Sequence, residues 1–124
     1  MILNDKKIEF NLIKKDECSI ILKVSGKIDT LGSIEFETEV KNLISDLTKN
    51  FTTLKFDFCD LEYLCSSGLR VILWSKKQLQ KLNENAVVVI KDPQPNVSEV
   101  LNITGFSEEV VEIENSKGEK NDIS

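Results

Sequence analysis

Apolar and polar positions change period several times along the chain, and each change marks an element. Residues 8–13 form a weak strand pattern. Ser19-Ile20-Ile21-Leu22-Lys23-Val24-Ser25 forms a stronger one, closed by Gly26. After Asp29-Thr30 the spacing turns helical: Phe36, Val40, Leu43, Ile44 and Leu47 recur on one side, with Glu35, Glu37, Glu39 and Lys41 between them. Leu54-Lys55-Phe56-Asp57-Phe58-Cys59 returns to alternation and reads as a strand. A second helix is predicted from near Ser66 to about Asn83. Residues 86–90 are a continuous apolar run, as expected of a strand buried on both faces. Pro93 and Pro95 break the chain before a short helix opened by Asn96, with Val97, Val100 and Leu101 inward and Gly105 as its C-cap. Residues 110–113 read as a last short strand, and 114–124 as a polar, flexible tail. This order predicts a single α/β domain over residues 1–113, with a mixed β-sheet of about four to five strands and helices packed against it.

Composition narrows what such a domain can do. At 124 residues it has room for a core without disulfide or metal staples. There is no histidine, so no Ser-His-Asp triad, Cys-His dyad or HExxH zinc site can be assembled. A formal charge of −5 argues against a nucleic-acid partner, which requires a dense basic surface. The N-terminal residues show no signal-peptide pattern, and the apolar runs fall far short of the roughly 20 residues of a membrane span. A cytoplasmic protein with no membrane partner is therefore expected. The three cysteines contain no CxxC pair and read as reduced thiols; Cys18 and Cys59 are expected as small buried hydrophobes in strands.

Most of the functional signal lies in Asp60-Leu61-Glu62-Tyr63-Leu64-Cys65-Ser66-Ser67-Gly68-Leu69-Arg70. A strand ends, a turn follows, and two serines and a glycine open an amphipathic helix. Hydroxyls and backbone N–H groups would face solvent from a positive helix end, where a phosphate on Ser67 would be stabilised. The plainer reading makes Ser66 an N-cap and Gly68 a point of close packing. At 100° per residue Gly68, Val71, Ile72, Ser75, Leu79 and Leu82 share the core side of this helix. Ser67, Arg70, Trp74, Lys77 and Lys81 line the opposite side, in a chain that is acidic overall. Such a stripe is either a solvated face or a docking surface with Trp74 as its anchor. Trp74 tucked under a neighbouring loop is the other possibility.

Three blocks in order, Ser25-Gly26-Lys27-Ile28-Asp29, Leu54-Lys55-Phe56-Asp57 and Tyr63-Leu64-Cys65-Ser66-Ser67-Gly68-Leu69 followed by Val71-Ile72-Leu73, give the chain a family likeness. It resembles the STAS domain of bacterial anti-sigma-factor antagonists from about residue 6 to residue 113, including Asn102-Ile103-Thr104-Gly105-Phe106. The resemblance implies a regulatory switch rather than an enzyme. The serine before the glycine, Ser67 here (Ser66 less so), is phosphorylated by a partner that is both anti-sigma factor and serine protein kinase. The unphosphorylated antagonist binds that partner and frees the sigma factor, and a serine phosphatase resets the system. Asp29 matches the acidic residue beside the phosphorylation loop. The partner surface would then take in Asp29, Ser66, Ser67, Gly68, Arg70, Trp74, Lys77 and Lys81. ATP belongs to the kinase, so no cofactor and no metal are expected. Cys65 stands where the family often has Asp, and residues 115–124 lack the periodicity of a final amphipathic helix.

Two other uses of these residues are open. STAS domains also serve as unphosphorylated subunits of lipid-transport ATPases, with the same helix as a fixed docking face. Cys65 and Arg70 also read C-x4-R, the loop length of a rhodanese-like sulfurtransferase with Cys65 as the thiolate. That chemistry needs Arg70 turned into the loop, whereas the helical wheel puts it outside.

Overall fold

The computed structural model describes residues 7–103 and 112–116. In chain order it contains β1 (Ile8–Lys15), β2 (Ser19–Ile28), α1 (Thr30–Ile44), β3 (Thr53–Asp57), β4 (Leu61–Leu64), α2 (Ser66–Leu82), β5 (Val87–Lys91), α3 (Pro95–Ile103) and β6 (Glu112–Glu114). The strands form one mixed sheet in the order β1-β2-β3-β5-β6. Among the described residues only the β1–β2 pairing is antiparallel. Strand β2 is long enough to pair twice: Ser19 to Lys23 lie beside β3, and Gly26 to Ile28 beside β4.

Alternation in the strands sets the layers. Ile20, Leu22 and Val24 of β2 and Leu54 and Phe56 of β3 are buried on one face. The crossovers β2–α1–β3 and β3–α2–β5 step the same way along the sheet, so right-handed connections place α1 and α2 together on one side. There Phe36, Val40 and Leu43 of α1 and Val71, Ile72 and Leu79 of α2 complete the core. Phe36 meets Phe56 edge-on at 5.3 Å between ring centroids and stacks on Phe10 at 6.4 Å, tying α1 to β3 and β1. The other side of the sheet carries a cross-strand row of alternating charge, Lys23, Asp57, Lys91 and Glu114 on adjacent strands. Lys55 also pairs with Glu114 at 2.8 Å. Helix α3 packs at the β4 end, with Val97 and Leu101 buried.

Several expectations need correction. Gly26 does not close β2. It sits inside the strand at a register shift with φ 97°, and a Cβ there would collide with the carbonyl oxygen of Lys7. The turn expected after residue 60 is strand β4, too short for its apolar ends, Leu61 and Leu64, to register as a period. Among the described residues the sheet therefore has six strands. Cys18 lies outside β2 and is exposed; Cys59 follows β3 and is half-buried. Helix α3 opens at Pro95, one residue before Asn96, as suits a proline that lacks the N–H a first helical position leaves unpaired. The last strand includes Glu114, and Ser116 is held to Asp92 by two 2.6 Å hydrogen bonds from its N–H and hydroxyl, so order extends past residue 113. Gly105, Phe106, residues 110–111 and the tail from 117 onward lie outside the described residues.

Candidate functional site

The site is built by two parallel strands ending side by side. Ile28 of β2 is in register with Leu64 of β4, so α1 and α2 begin at adjacent points on one edge of the sheet. The Cys65 N–H donates to the Ile28 carbonyl at 2.9 Å, fixing the two starts to each other. Gly68 brings α2 close onto that junction: a Cβ on it would lie 2.7 Å from Ile28 Cγ2 and from Leu64 Cδ1. Asp29 is the N-cap of α1, its Oδ1 accepting from the Gly32 N–H at 2.8 Å.

Cys65, not Ser66, is the N-cap of α2, and it makes no side-chain capping bond. Ser66 is the first helical residue and is exposed; Ser67 follows, half-buried. The Cys65 Sγ lies 3.3 Å from the Ser67 Oγ. Burial pushes the Cys65 thiol up, but the Ser67 hydroxyl and the N–H groups of Gly68, Ser67 and Cys65 together pull it below the ordinary cysteine value. Cys59 is shifted the other way, by burial first and then by Asp57. An electropositive helix start that favours a thiolate favours any anion placed there, including a phosphate on Ser67.

Beyond Ser67, α2 presents Arg70, Lys77 and Lys81, all exposed. Trp74 departs from that stripe. It is half-buried against the core, with Lys41 Nζ of α1 5.6 Å from its ring centroid. It thus lines an α1–α2 groove of about 400 Å³, with Ile44, Leu47 and Leu79. Trp74 is flanked by α1 and by Leu47 in the segment that follows it, and its removal would cost packing as well as surface. Leu82, expected in the core, is 37% exposed at the helix end.

The structure also exposes what the helical pattern concealed. Leu31 and Ile34, in the first turns of α1, lie off the stripe of Phe36, Val40 and Leu43 and face solvent. Two apolar residues on the wrong side of a helix were the available signal. Cys65 and Arg70 do not lie in an open loop. The residues between them are helix from Ser66 onward, and Arg70 points outward. Among the described residues no group of three or more His, Cys, Asp or Glu could hold a metal, and no helix is long and apolar enough to cross a membrane.

Known proteins agree with this architecture. BtrV of Bordetella bronchiseptica, named as an anti-sigma factor antagonist, is 30% identical over 87 residues, covering 70% of this chain and 71% of its own. The anti-sigma factor antagonist SpoIIAA in its unphosphorylated form superposes with a TM-score of 0.72 at 18% identity, over 91% of this chain and 92% of its own. The Bacillus cell fate determinant SpoIIAA in its phosphorylated form gives 0.64 at 16%, over 93% and 97%. An anti-sigma factor antagonist from Mycobacterium paratuberculosis gives 0.71 at 19%, over 98% and 96%. At those identities the structures establish the fold. The STAS domain family pattern matches residues 9–120, and the chain belongs to that family.

Proposed function

We propose that this chain is an anti-sigma-factor antagonist, switched by phosphorylation of Ser67. Unphosphorylated, it docks through the first turns of α1 and α2 and the Arg70-Lys77-Lys81 stripe onto an anti-sigma factor that is also a serine kinase, releasing the sigma factor. Phosphorylation ends the complex and a serine phosphatase restores it. The chain is a substrate in this scheme, requiring no cofactor of its own because ATP belongs to the kinase.

The observation that carries the reading is a serine hydroxyl in the first turn of a helix whose N-cap side chain leaves the backbone uncapped. A phosphate there adds about −1.5 to −2 charges. In the free antagonist the helix start and water stabilise them. In a complex the same charges would lose their water beside the partner, and every ~1.4 kcal/mol of that penalty lowers affinity tenfold.

The test is a pull-down combined with intact-mass measurement, which reports partner identity and serine phosphate together. Ser67→Ala is expected to hold the kinase constitutively and Ser67→Asp to lose it; equal binding by Ser67→Asp and wild type defeats the charge switch. Arg70→Glu/Lys77→Glu probes the docking stripe more cleanly than Trp74→Ala, since both side chains are exposed. Recovery of a lipid-transport ATPase subunit with an unmodified chain would instead assign the STAS domain to that complex.

A further inference from the structure

Helix α1 buries one apolar stripe and leaves a second in water. Leu31 is 72% and Ile34 59% exposed, the two highest values among the large apolar residues described. Three residues apart, they are neighbours on one face. The core gains nothing from them, since Phe36, Val40 and Leu43 already attach α1 to the sheet. Single exposed apolar residues are ordinary; the position of this pair is not.

The register of β2 with β4 ends the two strands one spacing apart, about 4.8 Å, so α1 and α2 start side by side. Ser67 is in the first turn of α2. A protein that covers Ser67 with a catalytic centre buries on the order of 800 Å² here, a disc of roughly 16 Å radius. At that radius the footprint extends from the start of α2 over the neighbouring start of α1, where Leu31 and Ile34 are exposed. On the α2 side of Ser67 the same disc takes in Arg70. The footprint is therefore two-sided, apolar over α1 and cationic over α2.

We propose that Leu31 and Ile34 are the specificity anchor by which the serine kinase acting on Ser67 recognises this chain. The matching kinase surface has an apolar depression on one side of its catalytic cleft and acidic residues facing Arg70 on the other. The proposal rests on the reading of Ser67 as the phosphorylated residue, and goes beyond it in naming the two apolar side chains of α1 that set recognition.

The experiment compares the full chain with the Leu31→Gln/Ile34→Gln variant as substrates of the purified kinase recovered with the wild type. Glutamine keeps a good helix former at both positions while removing the apolar surface. Expected are a KM for Ser67 phosphorylation raised at least about 10-fold, the scale of a truncated interface anchor, with kcat and the melting temperature unchanged. Leu31→Met/Ile34→Leu should behave as wild type, which separates loss of contact from loss of fold. An unchanged KM for the glutamine variant overturns the anchor while leaving Ser67 phosphorylation standing. A wild-type chain that dimerises through this pair, with kinase kinetics indifferent to the substitution, identifies a second copy as the occupant and also overturns it. A wild-type chain that no co-purifying kinase phosphorylates removes the Ser67 reading itself, and the anchor with it.

Discussion

The starts of α1 and α2 are the same construction with different contents. Asp29-Thr30-Leu31-Gly32 opens one and Cys65-Ser66-Ser67-Gly68 the other, each following a strand of the same parallel pair. In both the third helical residue is glycine. At the capping position α1 has a carboxylate bonded to the Gly32 N–H, and α2 has a thiol that caps nothing. At the second helical position α1 has an exposed leucine and α2 a half-buried serine. One terminus commits its polar chemistry to stability and leaves an apolar residue outside. The other leaves its positive end open beside a hydroxyl. Substitutions at matched positions should therefore have unmatched effects.

The glycines should differ most in stability. A Cβ on Gly32 would lie 2.6 Å from the Lys27 carbonyl oxygen, which is backbone and has little room to give. On Gly68 the obstacles are Ile28 Cγ2 and Leu64 Cδ1, buried side-chain atoms that give more readily than backbone. Gly32→Ala is expected to lose about 2–3 kcal/mol and Gly68→Ala about 1–2 kcal/mol, both as overpacking. Urea unfolding of the two variants decides it, and a Gly68→Ala cost equal to or above that of Gly32→Ala breaks the contrast.

The capping positions come next. Asp29→Ala removes a formed capping bond and should cost about 1 kcal/mol, whereas Cys65→Ala removes none and should stay within about 0.5 kcal/mol. Cys65→Asp should gain about 1 kcal/mol by supplying the missing cap. That gain would shrink or reverse once Ser67 is phosphorylated, because two anions would then share one helix start. Thermal melts of the phosphorylated and unphosphorylated forms measure the difference directly.

Much of this was legible in the sequence, for identifiable reasons. Helix α2 announced itself because Val71, Ile72, Ser75 and Leu79 repeat at helical spacing over many turns, and the observed limits, Ser66–Leu82, lie within one residue of those expected. Strand β5 was legible because an unbroken apolar run buried on both faces leaves little else to be. Strand β4 was not: over Leu61–Leu64 the burial pattern is apolar, polar, polar, apolar, set by its place between β2 and α3 rather than by any period. Trp74 was only half legible. A helical wheel places it opposite the core of its own helix but cannot show α1 arriving on that side with Lys41. Ser67 was marked by local pattern, whereas its relation to Leu31 depends on strand pairing between residues far apart in the chain.

The smallest effect is the most local. Cys65 at the open start of α2 and Cys59 at the end of β3 are both half-buried thiols, shifted in opposite directions. A lowered value puts thiolate on Cys65 at a pH where a free cysteine is still protonated, and a raised value keeps Cys59 protonated to higher pH. Because the thiolate is the reactive form, alkylation by iodoacetamide should mark Cys65 at lower pH than free cysteine and Cys59 at higher pH. Mass mapping of the labelled peptides across a pH series distinguishes the two sites. Ser67→Ala removes one of the donors that hold the Cys65 value down, so its labelling midpoint should move up while that of Cys59 stays in place. If Cys65 and Cys59 label together, the start of α2 has no electropositive character beyond that of an ordinary strand end, and the contrast between the two helices reduces to the capping bond of Asp29.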